Sequence, residues 1–172
     1  MVDGLVGSEM CIRDRYTDTG ASNYISASSG VPWAENSGRS TATIVTVVKE
    51  LLTAGTFTLT DASDISTTYG FAGGVNVSAN TTAYTPGTTV NIGIDGMASG
   101  DAGATADQIV ARINAGTDIG FTASKTGNNV LVTQNTPGTV GNKTNAQDSG
   151  MGSFVVNNFT NGANVEGGSY VN

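Results

Sequence analysis

The clearest pattern of apolar and polar positions begins at residue 105, where apolar side chains recur every three or four residues. This spacing places them on one face and predicts an amphipathic helix over about 105–115. Thr105 and Gln108 have the spacing of a capping box, in which each side chain bonds a free backbone N–H of the first turn. Gly116 follows the last apolar position and predicts a left-handed helix stop. The apolar stripe comprises Ala106, Ile109, Val110 and Ile113, and the pattern turns Gln108, Arg112 and Asn114 away from it.

Alternating positions on either side of the helix predict short strands. Residues 119–124 alternate and residues 130–133 are mostly β-branched, so a β-hairpin is expected after the helix, with its turn at residues 125–129. Residues 43–52 combine strand composition with a helical turn, and we interpret them as a strand first. The other predicted strands are residues 56–60 and 67–71 around the turn 61–64, a short piece at Val75 and Val77 after a break at Gly73 and Gly74, residues 88–95, and residues 153–160; residues 96–104 and 135–152 are predicted loops.

These segments predict a mainly β (α+β) fold. We expect twisted antiparallel sheets or a sandwich of about seven short strands, with the helix at about 105–115 packed on one sheet. Residues 16–54 are interpreted as an arm rich in Ser, Gly and Thr with one strand. Residues 55–172 are interpreted as a β-rich structural module, truncated at its C-terminus.

Residues 5–15, LVGSEMCIRDR, resemble the peptide produced when sequencing-adapter DNA is translated in frame. The sequence becomes rich in Thr, Asn and Gly directly after Tyr16. We therefore interpret residues 1–15 as a sequencing artefact, with a disordered N-terminal arm as the alternative, and exclude them from fold and site reasoning. The excluded segment contains Cys11, the single cysteine of the chain.

Composition narrows the classes of function. The 172 residues include 7 basic and 14 acidic side chains and no histidine, which gives a net charge of −7. Nucleic acid is not expected as a partner, because phosphate binding needs clustered Lys and Arg. A membrane is not expected either, since no apolar run reaches the ~18 residues that a span requires. The usual nucleophilic triads and Cys/His zinc sites lack their residues, so we expect no enzyme.

Two pairs of carboxylates are the remaining candidates for chemistry. Asp61 with Asp64, and Asp95 with Asp101, could act as acid/base pairs or bind a hard cation. Turn structure is the stronger interpretation of the first pair, because a short carboxylate accepts hydrogen bonds from nearby N–H groups. Residues 95–101 lack the alternating ligands and distant Glu of a calcium loop. The sequence therefore predicts no catalytic residue, no cofactor and no metal site.

Aromatic and amide side chains raise two further alternatives. Trp33, Tyr69 and Tyr84 could line a sugar-binding face, although dispersed aromatic residues more often lie in the core or singly on the surface. The N-x-S/T patterns are expected by chance in so Asn- and Thr-rich a chain. They begin at Asn76, Asn80, Asn142 and Asn158.

Four segments in order resemble a β-rich module that occurs, often in tandem, in structural proteins of tailed bacteriophages, especially marine ones. They are FTLTDAS, TADQIVARINAG, FTASKTGNNVLVTQNTPGTVGNKT and FVVNNFTNGA, within about residues 56–163. The resemblance brings no catalytic residue. It implies a non-enzymatic virion protein, a tail, fibre or capsid-associated module, whose partners are copies of itself or other virion proteins. Exposed strand edges with few charges are expected to favour such assembly.

The helix and hairpin alone are also similar to the IN motif of flagellins and flagellar hook-associated proteins, where an Ile-Asn at a helix end precedes a VTAS-like strand. Here the dipeptide is Ile113 and Asn114. Flagellar families carry long terminal coiled-coil helices, which this chain lacks, so the phage interpretation is favoured. A flagellar or surface-layer component is the alternative. A carbohydrate-binding adhesin module, with a host surface glycan as partner, is the third hypothesis.

Overall fold

The described part of the chain forms eight strands and one α-helix. The computed structural model describes residues 38–52 and 54–164. The adapter-like segment, Cys11 and Trp33 lie outside the described residues. The elements are β1 (Arg39–Val45), β2 (Thr56–Thr60), β3 (Ser66–Asn76), β4 (Thr89–Asp95), α1 (Ala102–Asn114), β5 (Phe121–Thr126), β6 (Asn129–Pro137), β7 (Ala146–Gln147) and β8 (Val155–Val156).

Two four-stranded sheets share one hydrophobic core. The first sheet has the order β5-β6-β1-β8 and the second the order β4-β3-β2-β7. Inward residues of both sheets and of α1 belong to the same buried cluster, in which the Phe57 and Tyr69 rings stack with centroids 5.0 Å apart. The predicted mainly β fold is thus confirmed. One detail differs, because β3 and β4 pair in parallel while the other pairs of neighbouring strands are antiparallel.

The strand predicted within the 16–54 arm is an interior strand of the first sheet. β1 pairs with β6 on one side and with β8 on the other. A 3₁₀ turn at Lys49–Leu51 follows it, so the ambiguous segment 43–52 is a strand first and a helical turn second. The folded unit therefore includes residues 39–52 as well as the predicted module from residue 55.

Helix α1 begins earlier than predicted. Asp101 is its N-cap, and the Asp101 Oδ1 atom accepts hydrogen bonds from the backbone N–H groups of Gly103 at 2.8 Å and Ala104 at 3.2 Å. The predicted capping box of Thr105 and Gln108 is wrong, since Thr105 is fully buried inside the helix. Asp caps a helix at least as well as Thr, and it stands four residues earlier in the chain.

The helix end also differs from the prediction. Ala115 is the C-cap with a right-handed helical conformation, and Gly116 has no positive φ. The glycine is needed there for another reason, because a Cβ on Gly116 would lie 2.8 Å from the Cζ atom of Tyr84. Close approach of a ring, rather than a left-handed stop, explains this glycine.

Three boundaries of the strands are different from those predicted. Gly73 and Gly74 do not break the strand predicted at residues 67–71, since β3 continues through them to Asn76. The separate short strand predicted at Val75 and Val77 is wrong, because Val75 belongs to β3 and Val77 begins a 3₁₀ turn. The predicted polar loop 135–152 contains the end of β6, a 3₁₀ turn at Thr139–Gly141 and the short β7. The predicted last strand, residues 153–160, is reduced to Val155–Val156 in β8, followed by an isolated bridge between Thr41 and Thr160.

Candidate functional site

The two carboxylates of the first candidate pair have separate structural roles. Asp61 is buried, and its Oδ1 atom accepts hydrogen bonds from the N–H groups of Ser63 at 2.8 Å and Ile65 at 2.9 Å. Asp64 has an exposed side chain that forms an ion pair with Lys143. The Asp61 carboxylate therefore holds the β2–β3 turn together, as the turn interpretation predicts.

The second candidate pair is not brought together by any shared contact. Asp101 caps α1 through its own carboxylate, whereas Asp95 is the exposed last residue of β4. A third carboxylate nearby, Glu50, accepts a hydrogen bond from the Ser99 hydroxyl, and this bond lowers the pKa of Glu50. Glu50 thus fastens the 3₁₀ turn after β1 to the loop before α1. Among residues 38–52 and 54–164, no group of three or more His, Cys, Asp or Glu side chains is placed to hold a metal ion.

Of the aromatic candidates, Tyr69 and Tyr84 lie within the described residues, and they form a hydrogen-bonded pair rather than an exposed face. Tyr69 is fully buried, and its hydroxyl lies 2.7 Å from the hydroxyl of the half-buried Tyr84. Burial raises the pKa of Tyr69 above its ordinary value, and burial raises the pKa of Tyr84 as well. The pair therefore stays protonated and joins the core to the end of α1, where the Tyr84 hydroxyl donates to the Ile113 carbonyl at 3.3 Å.

A buried guanidinium lies on the outer side of this tyrosine pair. Arg112 is 8% exposed and its Nη1 atom donates to the carbonyls of Ala79 at 3.1 Å and Thr82 at 2.8 Å. Its Cζ atom lies 4.8 Å from the centroid of the Tyr84 ring, a cation–π contact. Arg112 therefore connects α1 to the loop after β3. The prediction that it faces away from the core is wrong, because that loop needs donors for its carbonyls.

One polar arrangement recurs in the described residues and was not predicted from the sequence. A carboxamide carries one carbonyl and an N–H pair, like a peptide group, so it can occupy both backbone groups of a strand residue. We call an Asn or Gln an amide clamp when its side chain both donates to a backbone carbonyl and accepts from a backbone N–H. The described part of the chain contains six: Asn80, Asn114, Gln134, Asn142, Asn145 and Gln147.

Three of the amide clamps bind both the carbonyl and the N–H of a single residue. Asn80 donates to the Gly93 carbonyl at 3.0 Å and accepts from the Gly93 N–H at 2.7 Å. Asn114 holds Ala123 at 2.8 Å for both bonds, and Asn142 holds Gly162 at 3.0 and 2.9 Å. Asn80 is fully buried, and its amide also donates to the Gln108 side chain at 2.9 Å. Gln108 and Asn114 therefore do not project freely from α1 as predicted, because each contributes to holding a strand edge.

The other three amide clamps bind two residues each. Gln134 is fully buried and joins the N–H of Ala62 to the carbonyl of Thr60, which ties the β2–β3 turn to β6. Gln147 joins the N–H of Val156 to the carbonyl of Phe154. Asn145 joins the N–H of Thr60 to the carbonyl of Asn157. In a chain with few charges, amides thus do the work of fixing loops against strands.

Each of the four N-x-S/T asparagines forms a hydrogen bond with the backbone of another residue. Asn80 and Asn142 are amide clamps, Asn76 accepts from the Ser78 N–H at 3.0 Å, and Asn158 accepts from the Asn145 N–H at 2.9 Å.

An open groove of about 370 Å³ lies beside β5. Its walls come from the end of α1, the segment between α1 and β5, and strands β5 and β6, and they carry the exposed carboxylate of Asp118. In the described residues no helix is long and apolar enough to cross a membrane.

No family model matches the chain, and neither a curated protein nor a solved structure does. The function of the chain is therefore inferred from its own residues and their geometry.

Proposed function

We propose that this chain is a non-enzymatic structural module of an extracellular particle, in the first place a virion protein of a tailed phage. Its partners would be copies of itself or neighbouring virion proteins. The observation that carries the proposal is the way in which the amide clamps join the segments that resemble the phage module.

Each of the four resembling segments is joined to another by a clamp located within those segments. Asn114, in TADQIVARINAG, holds Ala123 in FTASKTGNNVLVTQNTPGTVGNKT. Gln134, in that third segment, holds Thr60 and Ala62 in FTLTDAS. Asn142, also in the third segment, holds Gly162 in FVVNNFTNGA. Three of the six amide clamps therefore lie in the segments that carry the resemblance and hold these segments together, which supports a shared structural role.

The outer face of the second sheet suits contacts made without ion pairs. On this face the hydroxyls of Thr58 and Thr68 lie 2.9 Å apart, as do those of Thr60 and Ser66. These hydroxyl pairs cross the β2–β3 hairpin and carry no charge themselves, and the Asp148 carboxylate binds Thr56 at the end of the same row. Such a surface supports packing against neighbouring subunits, where shape and hydrogen bonds rather than charge would determine the fit.

The proposal is tested by recovering the intact gene with its neighbours and then examining the particle. A phage origin predicts adjacent terminase, portal or capsid genes, and the protein at stoichiometric amounts in purified virions by mass spectrometry. Absence of the protein from purified virions of that phage would overturn the proposal. Hydrolysis of a polysaccharide by the purified chain, lost in Asp61→Asn or Asp95→Asn, would overturn its non-enzymatic part.

A flagellar component is the second candidate, and one observation favours it. Ile113 is fully buried, while the adjacent Asn114 clamps Ala123 in the FTAS strand. The Ile-Asn pair thus links the helix end to the following strand in the same order as in the IN motif. Flagellar genes beside the intact gene, together with long flanking helices in its product, would favour this candidate over the virion protein.

A further inference from the structure

The two sheets have four edge strands: β4, β5, β7 and β8. An open edge presents unpaired N–H and carbonyl groups, with which a strand of a second molecule can pair. Only 12% of the residues are charged, so few charged side chains along the strands oppose such pairing. How each edge is closed therefore decides whether copies of the module associate through their strands.

The edges of β4 and β5 are each closed at the centre by a carboxamide. The Thr88 carbonyl accepts a hydrogen bond from β3, and the Gly120 carbonyl accepts one from β6. Because the backbone groups of successive strand residues point to opposite sides, those of Gly93 and Ala123 point outward from their sheets. These are the residues that Asn80 and Asn114 hold. Each asparagine thus takes the position that a peptide group of an incoming strand would need.

The edges of β8 and β7 are closed differently. The backbone N–H of Asn157 donates to the Thr43 carbonyl of β1. The N–H of the preceding residue, Val156, therefore points away from β1, and the Gln147 side-chain oxygen accepts it. Gln147 also donates to the Phe154 carbonyl at 2.7 Å. β7 itself is only two residues long, and a very short edge strand offers little for a partner to pair with.

We infer that these side-chain amides guard the sheet edges, and that loss of the Asn114 guard opens β5 to antiparallel pairing with β5 of a second copy. Asn114 is the guard that can be tested, because its side chain is exposed and its removal leaves no cavity in the core. With guarded edges, assembly through open strands, as expected from the sequence, would need a guard to move aside. The inference rests on the described geometry and not on the proposed function.

The test compares the full-length chain with its Asn114→Ala variant. Sedimentation velocity over a range of concentrations should show self-association at least tenfold tighter in Asn114→Ala. Hydrogen exchange should become slower at Phe121 and Lys125 when the variant associates, because these outward groups would pair across the new interface. An unchanged association constant in the folded variant would overturn the inference.

Two further variants separate edge pairing from general instability. Asn76→Ala removes an exposed asparagine that holds a turn rather than a strand edge, and it should associate no more than the wild type. Adding Thr122→Lys to Asn114→Ala places a charge on the edge strand and should restore the wild-type association constant. Equal association of Asn76→Ala and Asn114→Ala would count against the inference. If Asn114→Ala does not fold, Asn114→Ser takes its place with the same expected outcomes.

Discussion

Tyr69 and Tyr84 share a hydrogen bond of 2.7 Å between their hydroxyls, one at the bottom of the core and the other at its rim. Their rings meet edge to face, with planes 90° apart and centroids 6.1 Å apart. The Arg112 guanidinium lies over the outer ring. This line of contacts connects β3, the loop before β4 and the end of α1, so the protonation of the two hydroxyls matters for stability.

We predict that the free energy of unfolding falls at alkaline pH because of Tyr69. The unfolded chain releases the tyrosine proton near pH ~10, whereas burial raises the pKa of Tyr69 and keeps it protonated in the fold. Above that pH the folded state binds more protons than the unfolded state, so stability decreases by up to about 1.4 kcal/mol per pH unit. Urea unfolding between neutral and strongly alkaline pH measures this slope.

Tyr69→Phe is the matched control for the loss of stability at alkaline pH. The variant lacks the buried ionisable hydroxyl, so its stability should depend less steeply on pH in the alkaline range, with a smaller slope remaining from the half-buried Tyr84. The same alkaline slope in the wild type and in Tyr69→Phe would show that another group is responsible.

A second prediction concerns the β2–β3 turn. Asp61→Ala should lower the free energy of unfolding by about 1–3 kcal/mol, because two N–H groups near a buried site lose their acceptor. Asp61→Asn keeps one side-chain oxygen and should lower the free energy of unfolding by less than Asp61→Ala does. Asp64→Asn removes only an exposed ion pair and should stay within about 1 kcal/mol of the wild type. Equal losses in Asp61→Ala and Asp64→Asn by chemical denaturation would contradict the assigned roles.

The apolar pattern predicted the core elements because burial of alternate residues leaves a clear signal. Val90 and Ile92 of β4, and Ile109 and Ile113 of α1, are buried as their spacing indicated. Asp61 took the turn role that its residue type favours. What the pattern does not contain is strand direction, so the parallel pairing of β3 with β4 could not be predicted from it.

The polar part of the fold could not be predicted for a different reason. A periodic pattern assigns every polar residue of a helix to solvent, yet Arg112 is buried and Asn114 is tied to Ala123. Both satisfy backbone groups of loops or strands, and those partners are set by the folded arrangement. Gln134 reaches Thr60 across 74 positions of sequence, a pairing that no local rule encodes. The two-residue strands β7 and β8 are equally invisible to propensity, since they exist through their partners.

A third prediction distinguishes two glycines on neighbouring strands. A Cβ on Gly93 would lie 2.5 Å from the Asn76 carbonyl oxygen, a backbone atom that cannot move aside, whereas a Cβ on Gly73 meets nothing within 4 Å. Gly93→Ala should therefore cost about 1–3 kcal/mol or prevent folding. Gly73→Ala should be neutral or slightly stabilising, because alanine restricts the unfolded chain more than glycine does. Thermal unfolding of both variants checks the contrast, and a stable Gly93→Ala would contradict it.

The last prediction concerns the buried guanidinium. Arg112 donates to the Ala79 and Thr82 carbonyls from one nitrogen while its plane lies over Tyr84, a geometry that a compact ammonium cannot reproduce. Arg112→Lys should therefore lower the free energy of unfolding by about 1–3 kcal/mol even though it keeps the charge. Arg39→Lys is the control, because Arg39 is exposed and makes a single 3.3 Å bond to the Gln134 carbonyl, so its change should stay within about 0.5 kcal/mol. If urea unfolding gave the same midpoint for both lysine variants, the guanidinium geometry would not be what holds α1 to the loop after β3.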